Sequence, residues 1–435
     1  MSATPAIPLL ARISADHAAS EAARPTDGVT HLRRRAAMAR VGATGLPTNR
    51  DENWRYANLR PLERARFAPR RPTPVDVERA RALLPAPVSG HARFVFVDGC
   101  FASALSAALG VCKGLTLRIA PATALGAADS PDERLAALNE AFALDGIHVA
   151  SAAGSHAAAE VLFIALTKSA EAASYPQLIV EVGADSRLSL IERHLGEPHG
   201  ATFVNAAIQI DVGSRATLEH HRAQSAGGQA LHFETVVANV HDEARYELNM
   251  VSLGGQSARG TVRIALRGRR AAVRLAMAIA PDGAQVNDTY ARIEHLAAET
   301  DTDELFRGIA AGRSRAAFNG HIVMRAHATG AVSRQSLRTL LAGPGAEADV
   351  RPQLEIYTDD VRASHGATIG KLDDAMLFYL LSRGIDPDTA QSLLKWAFLT
   401  EVVARITVPE LRRDLEHAIA ARFAGKDAAV AKDLL

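Results

Sequence analysis

The chain has 435 residues, 48% of them hydrophobic and 22% charged, which is enough for one large domain with appendages or for two or three smaller ones. Its 49 lysines and arginines nearly balance its 48 aspartates and glutamates, so the net charge is only +1. Such a balance gives no global field that would hold nucleic acid or an anionic membrane.

Targeting and membrane segments are not evident in the sequence. No uncharged apolar run approaches the roughly 20 residues that span a bilayer. The N-terminal segment lacks a basic region followed by an apolar one, and it carries Asp16 and Glu21, which a transit peptide would avoid. We therefore expect a cytoplasmic protein with neither nucleic-acid nor membrane partners.

Cysteine is scarce, with only Cys100 and Cys112 and no CxxC motif. Two thiols cannot alone supply the four thiolates of a zinc ribbon or of an ordinary iron-sulfur cluster. If the chain handles a metal, further ligands must come from histidine, from carboxylates or from a partner chain.

Residues 1–80 are predicted to form an N-terminal helical region with a linker. Segments 5–23 and 28–42 are rich in alanine and arginine, with apolar residues three and four positions apart. Further along, Trp54 and Tyr56 are flanked by charged residues. We expect these two aromatic side chains to anchor their segment on a neighbouring surface.

Residues 81–370 are predicted to form a core of strands, because the apolar pattern changes to a period of two with Gly, Asp and Ser turns between the runs. Only 130–143 is typical of a helix in this region, with Pro131 suited to its first turn.

A weak internal repeat runs through these strands. Similar strand–turn–strand segments begin at Val182, Val212, Val240 and Leu266, which are 30, 28 and 26 residues apart. Each unit is expected to hold two or three short strands. Regular strand units without helices indicate either a β-helix or a β-sandwich, and their similar size favours the β-helix while leaving the sandwich open.

Residues 371–435 are predicted to form a C-terminal helical domain. The first helix ends at Gly384. The second begins with Asp386 as N-cap and Pro387 in its first turn, and a third begins at Pro409. The order is therefore helices, a long strand region, and helices.

The usual marks of a self-sufficient enzyme are missing, since there is no GxSxG, GxxxxGK[ST] or GxGxxG motif after a strand. None of the 16 histidines has HExxH spacing. His220 and His221 are adjacent in a strand and should point to opposite faces. His321 and His327 are expected on one face of a single strand, roughly 20 Å apart. We predict that the chain is not an enzyme.

A distinctive set of residues runs from the end of the strand region into the first C-terminal helix: Phe318, Gly320, Leu340–Leu341, Pro352, Leu354–Ile356, Asp359–Val361, His365–Thr368, Gly370–Asp373, Phe378–Leu380 and Ser382–Gly384. These residues, in this order, resemble the C-terminal signature of the SufB/SufD family of iron-sulfur cluster assembly proteins. Segments 52–59 and 138–149 also resemble the N-terminal part of the SufD branch. The likeness therefore covers most of the chain.

This resemblance implies a mainly β fold, a right-handed parallel β-helix core flanked by N-terminal and C-terminal α-helical segments. It implies a non-catalytic SufD-like subunit of a SufBCD-type complex that supports iron acquisition and scaffold formation during ATPase-driven rearrangement. The partners would be a SufB-like paralogue, two copies of a SufC-like ABC-type ATPase and, indirectly, a cysteine desulfurase system. The scarcity of cysteine favours the SufD-like over the SufB-like subunit.

Interface residues follow from the same resemblance, because the two β-helix subunits of the family meet near the His-Gly-Ala-Thr segment. Asp360, Ser364 and His365 are thus candidates for the paralogue interface, and His365 is a candidate metal ligand shared with the partner subunit. Family members often carry cysteine two residues before the histidine, where this chain has Ala363. A cluster at this place would need its thiolates from the partner.

The C-terminal helices of the family dock on the ATPase, so Leu393, Leu394, Trp396 and Phe398 are candidate contacts with it. The alternative is that some of them only pack the helical tail.

No cofactor is expected on the chain alone. The resemblance allows a transient iron-sulfur cluster at the heterodimer interface and a flavin in the complex, although no motif marks a flavin site. Two other functions stay open from the residues: a polysaccharide-active enzyme on a β-helix, and a purely structural β-solenoid.

Overall fold

The computed structural model describes residues 8–24, 28–108, 114–120 and 131–423. Its core is a parallel β-solenoid of about seven turns, built from two sheets. Sheet one contains β1, β2 and the odd-numbered strands from β5 to β19, and sheet two contains β3 and the even-numbered strands from β4 to β18. The strands are β1 (Ala92–Val97), β2 (Cys100–Phe101), β3 (Leu115–Ala120), β4 (Gly146–Ser151), β5 (His156–Ala165), β6 (Gln177–Val182), β7 (Arg187–Gly196), β8 (Phe203–Val212), β9 (Thr217–Ser225), β10 (Leu231–Val240), β11 (Arg245–Ser252), β12 (Ser257–Leu266), β13 (Ala272–Ile279), β14 (Val286–His295), β15 (Asp301–Ala311), β16 (Arg315–Met324), β17 (Ala331–Ala342), β18 (Glu347–Ile356) and β19 (Val361–Gly370).

Each coil contributes one strand to each sheet, and consecutive coils pair in parallel. Period-two sequences give each strand an inward face of mainly apolar residues, which fill the space between the sheets. The predicted parallel β-helix between helical ends is confirmed, and the sandwich is excluded by the parallel pairing. Each coil has two strands, within the expected two or three per unit, but most of them have eight to twelve residues and are longer than expected.

The predicted repeat marks stacked turns. Val182, Val212, Val240 and Leu266 end successive strands of sheet two and lie in direct register. One residue in the turn after each of these four strands, and after β14, has a left-handed backbone with φ near +58°, and these residues alternate in charge. They are Asp185, Arg215, Glu243, Arg270 and Glu299.

The alternating charges form ion pairs between neighbouring turns. Arg215 Nε lies 2.6 Å from Asp185 Oδ1, and Arg270 Nη2 lies 2.6 Å from Glu243 Oε1. The backbone continues the ladder, since the amide of Glu243 donates to the carbonyl of Arg269 at 2.8 Å. Hydrogen bonds between turns therefore offset the strain of the left-handed residues.

The helices are α1 (Leu9–Ala22), α2 (Gly28–Thr44), α3 (Pro74–Arg81), α4 (Arg134–Phe142), α5 (Asp374–Ser382), α6 (Pro387–Val403) and α7 (Pro409–Phe423). Short 3-10 turns lie at Glu52–Trp54, Arg60–Arg64, Ser103–Leu105 and Pro131–Glu133. Helix α4 corresponds to the helix predicted over 130–143, of which residue 130 lies outside the described ranges.

The N-terminal helices cover the outer face of sheet two. Helices α1 and α2 pack on α4, and α4 packs on β8 and β10. Trp54 is buried beside them, and the guanidinium of Arg259 lies 4.3 Å from the centre of its ring. Trp54 thus anchors its segment on the solenoid, as the sequence predicts.

Helices α6 and α7 cover the outer face of sheet one, where their apolar residues join those of the strands in one cluster. The buried Arg307 of β15 donates to both carboxylate oxygens of Glu401 at 2.7 Å. Asp386 caps α6 by accepting from the amides of Asp388 and Thr389, at 3.1 and 3.0 Å. The predicted N-cap is confirmed.

Replacing Glu243, a turn residue with φ +57°, tests the balance between backbone strain and the turn ladder. Glycine adopts this conformation freely and alanine does not. We expect Glu243→Gly to retain about 1 kcal/mol more unfolding free energy than Glu243→Ala, measured by urea denaturation. The same pair at Glu247, within strand β11, should rank alanine above glycine. If the same variant, glycine or alanine, were the more stable one at both positions, the backbone strain assigned to Glu243 would be contradicted.

Candidate functional site

The C-terminal end of the solenoid is open. In the described part of the chain, β18 pairs with β16 alone and β19 with β17 alone, so both are edge strands. At the other end, β2 folds back antiparallel on β1, and Phe94 and Phe96 of β1 are buried. The open end therefore presents two free strand edges that a further coil could extend.

Inward side chains of the last coil are exposed because no further coil in the described part of the chain covers them. Ile356 and Ile369 are each 45% exposed, and Tyr357 in the adjoining turn is 57% exposed. Asp360 lies in that turn, and its carbonyl accepts from the amide of Gly330 at 2.7 Å. The open end is thus both apolar and able to form backbone hydrogen bonds.

His365 lies on β19 at this end and is exposed. Val361 and Ala363 of the same strand pack against the interior cluster, so His365, at the same parity, occupies an inward position. Ser364 is exposed on the opposite face of the strand. The structure therefore places Asp360, Ser364 and His365 in the last coil, with Ser364 and His365 on opposite faces of β19, while their role in binding a paralogue stays a prediction.

Two buried polar residues lie beneath His365 in the same column. Gln335 of β17 pairs with His365, and Glu304 of β15 pairs with Gln335. The Gln335 amide donates to the Glu304 carboxylate. Burial raises the pKa of Glu304 to about 7, with the amide opposing the shift. The pattern of the sequence gave no reason to select either residue.

A second polar cluster lies deep inside the solenoid. His194 of β7, His232 of β10 and Glu234 of β10 place one potential metal-ligating atom each within 4.8 Å of the others. All three side chains are buried. Such a set of two imidazoles and one carboxylate can bind a divalent metal.

The cation position of this cluster is filled by the protein itself. Arg222 Nη2 donates to His232 Nε2 at 3.0 Å and pairs with the carboxylate of Glu234. Burial lowers the pKa of Arg222 to about 10, with Glu192 opposing the shift, and the guanidinium is still charged at pH 7. A metal ion would have to displace it. We therefore interpret the cluster as a buried ion-pair network.

Glu192 belongs to the same network. Burial would raise its pKa, but hydrogen bonds from His194 and from His220, the latter at 2.9 Å, hold the pKa well below its usual range. His220 points inward, and His221 points outward to Thr407 Oγ1 at 2.9 Å. The predicted divergence of these two histidines is confirmed.

Sequence spacing could not reveal this network, because its members come from three strands. A signal was available in the repeat, since Glu192, His194, Arg222, His232 and Glu234 fall at inward positions where aligned coils carry apolar residues. The expectation that His321 and His327 share one strand was wrong. Strand β16 ends at Met324, and His327 lies in the turn that follows.

The candidate ATPase contacts on α6 are all half-buried. Trp396 and Phe398 pack against the cluster between α6 and sheet one. The most exposed apolar side chains of the C-terminal region lie instead on α5, which has no buried residue. We call Met376, Phe378, Tyr379 and Leu381 the α5 patch.

The remaining cysteine chemistry is limited. Cys100 is buried, and burial with the nearby Asp145 raises the pKa of its thiol to about 12, so it is not a thiolate at neutral pH. Cys112 lies outside the described ranges.

Within the described ranges, no helix has the length and apolar character needed to cross a bilayer.

Comparison with known proteins identifies the family. The domain described as "SUF system FeS cluster assembly, SufBD core domain" matches residues 164–398. The chain therefore belongs to the SufBD family, and the predicted resemblance is confirmed.

Individual relatives refine this assignment. The chain is 29% identical to the iron-sulfur cluster assembly protein SufD of Escherichia coli over 387 residues, 88% of this chain and 90% of that protein. It is 26% identical to an iron-sulfur cluster assembly SufBD family protein of Synechocystis over 416 residues, 91% and 92% of the two chains. A chloroplastic protein of Arabidopsis thaliana, ABCI7, is 29% identical over 241 residues, 55% and 51%. The chain is a SufD-like component of the SUF system of iron-sulfur cluster assembly.

Replacing Arg222 tests whether the stability of the buried network depends on the charge of its guanidinium. Arg222→Met should leave the buried carboxylates of Glu192 and Glu234 without a guanidinium partner and lower the unfolding free energy by about 3–5 kcal/mol in urea denaturation. Arg274→Met, at an exposed position on β13, should change it by about 0.5 kcal/mol or less. A loss below about 1 kcal/mol for Arg222→Met would show that the network does not depend on this charge.

Proposed function

We propose that the chain is a non-catalytic SufD-like subunit that pairs with a SufB-like paralogue through the open end of its solenoid. The observation that supports this is the last coil, whose two strand edges are free and whose inward apolar residues are exposed. A second solenoid with a similar end could continue both sheets by backbone hydrogen bonding and cover Ile356 and Ile369.

The cargo of this junction would be a nascent iron-sulfur cluster, with sulfur supplied by a cysteine desulfurase system. His365 would face the partner across the junction and offer an imidazole nitrogen to iron. Within the described residues, Ala363 offers no ligand and the Cys100 thiol is buried and protonated, so we assign the thiolates to the paralogue. A flavin in the assembled complex stays a prediction.

An ABC-type ATPase of the SufC kind would bind the C-terminal helices. The α5 patch supports this proposal, because a set of large apolar side chains exposed on one short helix is typical of a protein-binding surface. Leu393 and Leu394 of α6 belong to the proposed contact, while Trp396 and Phe398 would support it from below by fixing α6 to sheet one. ATP-driven movement of the bound ATPases would then reach the junction through the rigid solenoid.

Substitution at the open end tests the pairing. Ile369→Asp places a charge in the proposed junction, so co-expression with the paralogue and the ATPase should yield a complex from which the variant is missing by affinity purification and size exclusion. Val75→Asp is the matched control, since Val75 is 69% exposed on α3, away from this end.

His365→Ala should leave the same complex assembled and lower its iron and sulfide content several-fold. Normal recovery of the Ile369→Asp variant in the complex would refute pairing through this end. Unchanged iron and sulfide with His365→Ala would refute the role of the imidazole.

Substitution on α5 tests the ATPase contact. Phe378 is 72% exposed, so Phe378→Asp should leave the melting temperature unchanged and weaken ATPase binding at least tenfold in titration calorimetry. Leu32→Asp, at a 65% exposed position on α2, is the control. Wild-type ATPase affinity in the Phe378 variant would place the contact elsewhere.

A further inference from the structure

The column that ends at His365 contains two residues with no assigned role. Glu304, Gln335 and His365 occupy the same position in three successive strands of sheet one, β15, β17 and β19. Neighbouring strands lie about 4.8 Å apart, so adjacent side chains of a column can reach the same small ligand.

The hydrogen bonding of this column is incomplete. Gln335 is 4% exposed and Glu304 is 1% exposed. The Gln335 Nε2 group donates to Glu304 Oε2, while Gln335 Oε1 and Glu304 Oε1 have no hydrogen-bond partner among the described residues. Buried oxygens without partners are costly and rare, so the free oxygen of the Gln335 amide calls for a ligand.

The opposite sheet makes room for these polar groups. A Cβ atom at Gly320 of β16 would lie 2.8 Å from Gln335 Nε2 and 2.9 Å from Glu304 Oε2. A Cβ there would also lie 2.9 Å from Cε1 of Phe318, so a larger residue would require the amide, the carboxylate or this ring to shift. The absence of a side chain at Gly320 therefore leaves room for the Gln335 amide and the Glu304 carboxylate at the inner wall of the open end.

We propose that Gln335 Oε1 is a second ligand, beside the imidazole of His365, for ferrous iron at the open end of the solenoid. The proposal rests on the proposed function and extends it inward by one coil. Imidazole nitrogen and amide oxygen are both donors that a divalent first-row metal accepts.

Glu304 acts as the positioning residue. Because its carboxylate engages the amide nitrogen, the amide oxygen is the atom left to face the ion, and the nearby carboxylate polarises it. The Glu304–Gln335–His365 column differs in this respect from the Arg222 network, where a guanidinium already fills the cation position.

Cobalt(II) binding to the full-length chain tests the proposal, with Co²⁺ as an air-stable probe for ferrous iron and its visible absorption as the readout. Wild type should bind Co²⁺ with absorption that His365→Ala abolishes. Gln335→Leu, which removes the oxygen and keeps the volume, should raise the Kd about tenfold or more. Gln335→Glu, which keeps an oxygen donor, should bind at least as tightly as wild type.

Two further variants separate ligation from packing. Glu304→Gln should weaken Co²⁺ binding several-fold, since it no longer orients the amide. Gln209→Leu, on β8 of sheet two, is the matched control and should bind as wild type does. Thermal unfolding of each variant shows that the chain is folded.

Wild-type Co²⁺ affinity in Gln335→Leu would overturn the role of Gln335, as would the absence of any His365-dependent Co²⁺ binding by the wild-type chain. Neither result bears on pairing with the paralogue, which the Ile369→Asp experiment decides separately. If pairing with the paralogue were refuted but Co²⁺ binding stayed intact, the His365–Gln335 metal site would still be supported.

Discussion

In-register stacking of parallel coils is the constraint on which the rest of the structure depends. Each inward side chain lies over the same position of the next coil, so a buried polar group finds its partner in its own strand, in an adjacent coil or on the facing sheet. The exposed turns use the same stacking to pair alternating charges, from Asp185 to Glu299. A coil at the end of the stack lacks one neighbour, and this exposes the inward residues of β18 and β19.

The two polar groups inside the solenoid differ in how they satisfy that constraint. In the Arg222 network, Glu192 and Glu234 share one guanidinium, and Glu192 also accepts hydrogen bonds from His194 and His220. In the Glu304–Gln335–His365 column, one hydrogen bond is made and two oxygens are left free. Both arrangements contain buried atoms without a hydrogen-bond partner among the described residues. They differ because a guanidinium fills the cation position of the first, whereas the second lies beneath the exposed His365 at the open end.

The outer faces show a similar division between packing and binding. Helices α6 and α7 use their apolar residues to cover sheet one, and ion pairs such as Arg307–Glu401 fix them there. Helix α5 lies beyond this contact and keeps Met376 and Phe378 in solvent. Helix α5 begins four residues after β19 ends, so the proposed ATPase contact and the proposed junction are neighbours in the chain.

The sequence by itself determined the strand region, the turn repeat at Val182, Val212, Val240 and Leu266, the Asp386 cap and the family motif around His365. These features are local, because period-two alternation, capping and turn chemistry act within a few residues. Only the tertiary structure decided that Arg222 meets Glu234, that Gln335 lies beneath His365, and that α5 rather than α6 exposes its apolar residues. Such contacts join residues about 30 positions apart or on facing sheets, and they depend on register and on coil lengths that vary from 26 to 32 residues. Alternation predicts which face a side chain occupies, but the identity of its neighbour is fixed only when the coils stack.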